Sequence, residues 1–479
     1  MPAFAAAAVV WSLLWLAGFP RPNGDDGFFA GIAYSLAHDG QLANPWVTGW
    51  KGYLEGIHPT KFLVQPPLYP LTMAGWIAVF GVSAGSLTGF ACVLGFLSSC
   101  LAWTILRRLG GDRLAAALGA AAVAAVLLPR GLRPEPLAML CFLAGQWLLL
   151  RWRTPAGWLA GGLVNSAAVL AHPIWMTLAI PSTLLQVLGA RRDGIRLRSL
   201  VIALAAGIAS AVLALVAFLG RDFPALVHDL AAHARLVTGD GGRLASFFEH
   251  LVVGYERYVR GIILLLAIGA TAVAARTHRR LAWAIVAGLG LMLALGLALY
   301  AAQSTVYLVL GLAIGPLLYP RLGANRWLAV APATLFVAWF TLQTGLQLAS
   351  ERQANDAVHR ATVDSYIRRA QPDLVGFDAA TLRWQFDLRP PRGAIDLAWA
   401  WSPGHPDRFW NPRALGPRDI WVLNPSWAAS WLPERLHRGH LALGPHVFRS
   451  VRSSRTVIVI LGSELPAPPD GPFLRASDL

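Results

Sequence analysis

The chain alternates long apolar runs with short polar connections for roughly its first 350 residues, and then the pattern stops. A helix needs about 20 apolar residues to cross a bilayer, within a range of about 17–25. Runs that meet or approach this length lie at roughly 3–19, 87–106, 114–129, 136–150, 157–171, 174–189, 199–219, 261–275, 281–301, 304–319 and 327–347. They predict about 11 transmembrane helices. The run before Pro20 has no Lys or Arg ahead of it and no small-x-small cleavage pattern, which marks a retained first span rather than a removed leader.

Two shorter apolar runs interrupt the first polar segment, 20–86. One follows Asp25 and Asp26, with Phe28, Phe29, Ile32, Ala33 and Leu36 at helical spacing. The other follows Pro67 and is too short for a comfortable crossing. Both are expected as juxtamembrane helices lying on the surface. The arginines support this. With the N-terminus in the cytoplasm and 20–86 outside, the connections on the inner side carry Arg107, Arg108 and Arg113, then Arg151 and Arg153, then Arg191, Arg192, Arg196 and Arg198, then Arg276, Arg279 and Arg280, and finally Arg321 and Arg326. Basic short loops belong on the cytoplasmic side. Counting the run after Pro67 as a span would move all of them outside.

The outer side then receives 20–86, a turn at Pro129–Glu135, the His172-Pro173 corner, a loop from Gly220 to Arg260, and residues 348–479. That last region is polar, rich in Pro, and holds Trp384, Trp399, Trp401, Trp410, Trp421, Trp427 and Trp431. Runs such as Asp419–Leu423 and Thr456–Leu461 have strand character. The expected architecture is an all-α polytopic membrane domain, 1–347, followed by a small extracytoplasmic α/β domain, 348–479. The protein is expected in the plasma (inner) membrane.

Composition agrees. Hydrophobic residues make up 56% and charged residues 14% of the 479, against about 25% charged in a soluble domain. The net charge of +15 would suit a nucleic-acid binder, but the arginines follow the membrane topology, so no nucleic-acid partner is expected. Cys92, Cys100 and Cys141 all lie in apolar runs and form no metal or disulfide framework.

The ionisable groups gather at the outer mouths of the spans and are scarce within them. Transport pathways place such groups at mid-membrane, so chemistry at the surface is favoured over translocation. Asp25 and Asp26 open the first juxtamembrane run. An Asp there is a good helix cap; a carboxylate can also take a proton from an acceptor hydroxyl. Such a pair, with Glu135, also offers hard oxygen donors to a divalent cation. Lys51, His58 and Lys61 follow in the loop; Lys51 and Lys61 are the chain's only lysines. They read either as a solvated loop attracted to lipid headgroups or as a clamp for a phosphate leaving group. Trp46, Trp50 and Tyr53 suit an interface or a sugar ring. Glu135, in Arg133-Pro134-Glu135-Pro136, reads as helix punctuation near a positive dipole end or as a second acidic group with Arg133 on phosphate. His172 reads as a corner residue or a sugar contact. Arg257 and Arg260 enter a span from outside, where arginines snorkel to headgroups.

These motifs resemble the GT-C superfamily of glycosyltransferases that use polyprenyl-phosphate sugars, and within it the protein O-mannosyltransferase and lipid A aminoarabinose transferase branch. The likeness rests on Asp25-Asp26 after the first span, on the stretch Asp25–Pro45, and on Gln65-Pro66-Pro67-Leu68-Tyr69, which is similar to a Lys-Pro-Pro-Leu motif before the second span. It also rests on the basic turn Leu106–Gly111 and on Arg133-Pro134-Glu135 at the fourth span. It covers roughly 1–190; beyond that it is one of topology. The chain departs from the pattern at Gln65, where a lysine associated with the donor phosphate often stands. Lys61 is the nearest substitute, with Arg257 or Arg260 as further contributors.

The resemblance implies an inverting transferase on the outer face. Asp25 would be the general base, with Asp26 and Glu135 beside it. The donor phosphate would be met by Lys51, His58, Lys61, Gln65, Arg133, Arg257 and Arg260, and the sugar or acceptor by Trp46, Trp50, Tyr53, Tyr69 and His172. The implied partners are a polyprenyl-phosphate-linked sugar, membrane lipids, and a glycan, lipid or protein acceptor. A divalent cation is the one cofactor in view. The competing readings are a lipid or glycan transporter and a membrane-anchored glycan-assembly binding protein.

Overall fold

The computed structural model describes residues 2–19, 24–43, 61, 63, 65–192, 197–238, 256–277, 279–299, 304–318, 326–354, 365–377, 394–396, 417–423, 446–450, 458–461, 464–466 and 473–475. Helices run in the order α1 (Pro2–Leu16), α2 (Gly24–Asp39), α3 (Leu68–Phe80), α4 (Ala84–Arg108), α5 (Arg113–Leu127), α6 (Glu135–Arg151), α7 (Pro155–Ala171) and α8 (Met176–Arg192). They continue with α9 (Leu197–Leu219), α10 (Phe223–Thr238), α11 (Glu256–Thr277), α12 (Arg279–Leu299), α13 (Ser304–Ile314) and α14 (Arg326–Ala354). Each apolar run read from the sequence coincides with a helix. Among the described residues, six helical segments are long and apolar enough to cross a membrane: Gly85–Arg108, Arg113–Arg130, Pro173–Arg191, Leu197–Ala231, Tyr258–Arg276 and Arg326–Leu346. Other apolar helices are shorter, among them Phe4–Leu16, Pro155–Ala171 and Val306–Leu318.

The connection expected as a loop from Gly220 to Arg260 is corrected in its first half. A short 3-10 turn, Gly220–Asp222, leads directly into the helix α10. Pro224 suits a first turn, where its missing N–H costs nothing. Leu226 and Asp229 point inward, 2% and 1% exposed, and Asp229 pairs with His228 at 3.2 Å. The polar residues around them gave the stretch the look of a loop.

The chain divides into two compact units. One comprises Met1–Pro20, Leu63–Tyr69 and Gly89–Gln343; the other comprises Arg21–Phe62, Pro70–Thr88 and Thr344–Leu479.

Small residues set how the helices of the first unit pack. The Trp11 ring lies over Gly95 and its indole N–H donates to Ser99 Oγ at 3.4 Å, while Trp15 fills the space beside Gly89. α1 is thereby fixed to α4 through two aromatic rings seated on two glycines. α7 and α9 approach closer still. A Cβ at Gly162 would stand 2.5 Å from the carbonyl oxygen of Leu204, and one at Gly207 would collide with the carbonyl oxygen of Leu159. Small residues at helix spacing permit such contact where lipid supplies no hydrophobic drive between helices. Between α6, α7 and α8 there is a polar contact: Gln146 Nε2 donates to Asn165 Oδ1 at 3.2 Å and reaches Thr183 Oγ1 at 3.5 Å.

One end of this unit is marked by Asp112. Its side chain caps α5 by accepting from Ala115 N–H at 2.8 Å and pairs with Arg326 at the start of α14. The Ala115 hydrogen bond and the Arg326 charge hold the Asp112 carboxyl below its ordinary range. Nearby Ala115, Leu317 and Ala333 form a buried cluster. α13 therefore ends, through the 3-10 turn Gly315–Leu318, at the same end of the unit as Asp112.

In the second unit, Trp76 on α3 donates to the Ser86 carbonyl at 3.0 Å, and Ser86 Oγ donates to Gly81 O at 2.9 Å. Gly81 has φ +73°, a value that glycine adopts without strain. The described part of the C-terminal region includes a six-stranded mixed sheet of β1 (Leu374–Phe377), β2 (Ala394–Asp396), β3 (Asp419–Leu423), β4 (His446–Ser450), β5 (Ile458–Leu461) and β6 (Phe473–Arg475). Its order is β2-β1-β3-β5-β4-β6. β1 runs parallel to β2 and β3, and the remaining pairs are antiparallel. The two runs with strand character are β3 and β5, the central pair, and Ile420 is fully buried.

Candidate active site

The best-defined polar cluster lies where α5 gives way to α6. α5 ends at Leu127 and a 3-10 turn carries Leu128–Arg130. Gly131, at φ +53°, then reverses the chain. Arg133 N–H closes the turn on Arg130 O at 3.1 Å, Pro134 follows, and α6 starts at Glu135. Proline before a first turn and a carboxylate within it both favour a helix start here.

Glu135 is 2% exposed. Its Oε1 lies 3.0 Å from Arg133 Nε and 3.6 Å from Arg130 Nη1. Two cations against one carboxylate leave a positive excess in a place nearly closed to water. His172 is close enough to act on Glu135 electrostatically. It sits at the corner between α7 and the 3-10 turn Pro173–Trp175, where its Nδ1 accepts from Ile174 N–H at 3.3 Å.

Aromatic residues wall this cluster. The Arg130 guanidinium lies 6.0 Å from the centre of the Tyr307 ring, within cation–π range. Tyr307 packs on Trp175 with ring centres 5.0 Å apart, and Trp175 packs on Phe142 at 5.6 Å. Three buried donors in this chain of contacts, Tyr307 Oη, Arg130 Nε and Trp175 Nε1, have no hydrogen-bond partner among the described residues. Buried polar atoms are nearly always paired, so these three donors, on side chains that adjoin one another, are open to a further polar partner. Tyr69 closes the same turn: it is 1% exposed and its hydroxyl donates to the Leu132 carbonyl.

Of the residues singled out from the sequence, Glu135, Arg133 and His172 are thus brought together, with Tyr69 on the adjoining turn. Arg130, Tyr307 and Trp175 join them and were not singled out. Asp25 and Asp26 occupy the second and third places of α2, inside its first turn rather than at the cap position before it. Lys61, Gln65 and Arg260 are half-buried, and Arg257 is the second residue of α11. Lys51, His58, Trp46, Trp50 and Tyr53 lie outside the described residues.

Apolar helices of spanning length mark an integral membrane protein. A solved structure shares its fold. ArnT from Cupriavidus metallidurans, in a crystal structure with undecaprenyl phosphate bound, superposes with a TM-score of 0.51 at 16% identity over 96% of this chain and 97% of that chain. The shared property is the GT-C fold, matched over nearly the whole of both chains. The apo oligosaccharyltransferase of Archaeoglobus fulgidus matches at a TM-score of 0.49 and 14% identity over 98% of this chain and 75% of that one. The same enzyme in complex with Zn and sulfate matches at 0.45 and 13%, over 94% and 72%. No family model matches the chain, and no curated protein matches it significantly.

Proposed function

We propose that this protein is a glycosyltransferase that moves a sugar from a polyprenyl-phosphate donor to a hydroxyl acceptor at the outer membrane surface, with inversion. The observation that carries the reading is the buried Glu135–Arg130–Arg133 cluster with its three unpaired donors, set at a helix mouth in a GT-C fold. A phosphate departing with its lipid needs cations in a water-poor place, where they are worth more than in water. A flipping pathway would carry such groups along its length.

In this reading Asp25 takes the proton of the acceptor hydroxyl as its oxygen attacks the anomeric carbon. The bond from that carbon to the phosphate oxygen breaks, and polyprenyl phosphate leaves with the electron pair. Asp26 orients the acceptor. Arg130 and Arg133 keep the leaving side positive, Glu135 holds the two guanidiniums in place, and Tyr307 and Trp175 offer hydrogen bonds to the donor. Lys51, Lys61, His58, Gln65, Arg257 and Arg260 are proposed as further contacts to the phosphate, and Trp46, Trp50 and Tyr53 as walls for the sugar. Glu135 is paired with Arg130 and Arg133, so Asp25 and Asp26 are the carboxylates of the three whose hard oxygens would hold a divalent cation.

The deciding assay is release of polyprenyl phosphate from a set of polyprenyl-phosphate sugars by the purified chain in the presence of membrane glycolipids and peptides. Acceptor-dependent release supports the reading; no release with any donor, from protein of native melting behaviour, removes it. With an accepted donor, Lys51→Met and Lys61→Met together should weaken donor affinity at least tens-fold, since charge-assisted contacts contribute about 1.5–3 kcal/mol each. Unchanged affinity would leave Arg130 and Arg133 as the phosphate site.

A further inference from the structure

Away from Glu135, the first unit contains a groove of about 490 Å³ between α11, α12 and the end of α13. Its walls include Ile268 and Ala272 on α11, Trp283 and Val286 on α12, and Leu312 on α13, with Arg279 at one end. It is open at the side: Ile268 is 55% exposed, Trp283 61% and Val286 43%.

The course of α13 shows which membrane face it serves. Near its start, Tyr307 touches Arg130 and Trp175 beside Glu135. Beyond its end, Leu317 packs with Ala115 and Ala333 near the Asp112–Arg326 pair. The groove takes Leu312 and Pro316 from this second end. It therefore lies in the half of the membrane opposite the candidate active site.

Its dimensions match one leaflet. From Arg279 to Leu289, α12 lines the groove over 10 residue steps, which at about 1.5 Å each is about 15 Å. Half of a hydrocarbon core about 30 Å thick is the same length. Arg279 then stands at headgroup depth with an apolar slot beneath it.

Charge names the occupant. Arg276 and Arg279 are both exposed and neither makes an ion pair among the described residues. His278 and Arg280 lie beside them in sequence, and there is no Asp or Glu anywhere from Arg257 to Ser350. This corner is basic with no acid of its own chain segment to answer it.

We propose that the groove binds one anionic phospholipid of the leaflet opposite the active site, with an acyl chain in the slot and the phosphate at Arg279 and Arg276. Native mass spectrometry of the full chain, titrated in detergent with dioleoyl phosphatidylglycerol or dioleoyl phosphatidylcholine, tests it. One phosphatidylglycerol should be retained with a preference of about fivefold per arginine, from the attraction of each cation for anionic lipid. Arg279→Gln should lower that preference about fivefold, and Ala272→Phe should fill the slot and remove the bound lipid. A phosphatidylglycerol with a diazirine on its acyl chain, cross-linked to the parent protein, covers the case in which a variant misfolds. Its label should fall on peptides of α11 and α12. Equal retention of the two lipids, a label placed elsewhere, or displacement by undecaprenyl phosphate in preference to phosphatidylglycerol overturns the proposal.

Discussion

Asp25→Asn should leave the protein folded and lower turnover by about 10²–10⁴, the usual contribution of a positioned general base. The position of Asp25 makes the two effects separable. As the second residue of α2, it stands at the positive end of the helix dipole, where a negative charge contributes about 0.3–1 kcal/mol. Asn keeps the shape and loses that small amount, but it accepts no proton from a hydroxyl at neutral pH. The measurement is acceptor-dependent release of polyprenyl phosphate by purified Asp25→Asn, with melting temperature as the control. Turnover at the level of the parent would reduce the Asp25-Asp26 pair to a helix start. Asp26→Asn belongs in the same experiment and should lose activity as well.

The second large effect concerns stability before activity. In Glu135→Ala the two arginines face each other, largely buried, with no anion between them. Removing one partner of a buried ion pair costs about 3–5 kcal/mol, a large fraction of a typical domain's stability of about 5–15 kcal/mol. The variant should melt far below the parent or fail to accumulate. Glu135→Gln keeps one acceptor and should lose less. Replacing the whole cluster, Arg130→Met and Arg133→Met with Glu135→Leu, should recover much of the stability, because buried ion groups exchanged for apolar ones of similar size are often neutral or better. If the cluster serves donor chemistry, the triple variant folds and stays inactive. Parent-like melting of Glu135→Ala would show that the arginines are better hydrated than their exposures indicate, and parent-like turnover of the triple variant would remove the cluster from the mechanism.

The sequence showed Glu135 because Arg-Pro-Glu-Pro is a local signal: a breaker, a first-turn carboxylate and a neighbouring cation within a few residues. Arg133 came with it. Arg130 sits in the same turn, but nothing local distinguishes it from the other arginines at span ends. Tyr307 is more than 170 residues away, and a tyrosine near the start of an apolar run reads as an ordinary interface residue. Only the folded chain puts its ring against Arg130 and leaves its hydroxyl without a partner among the described residues. The strand β3 was legible as a short apolar run rich in β-branched residues, whereas the helix α10 was hidden by its polar residues, among them His228 and the buried Asp229 beside it. Spans are easy to read because lipid imposes one rule along their length. Sites are harder because they depend on which mouths are folded together.

The interlock of Gly162 with Leu204 and of Gly207 with Leu159 sets where this protein is able to give way. Carbonyl groups seated against glycines leave no clearance for one helix to slide or roll past the other. α7 and α9 behave as a single stiff plank, and separating them would sacrifice the whole contact at once. Any long lipid tail that threads into the helical body from the side must choose another seam. The margin of α11 and α12 already stands ajar, and it is there, away from the plank, that an acyl chain of the bilayer can settle against the protein.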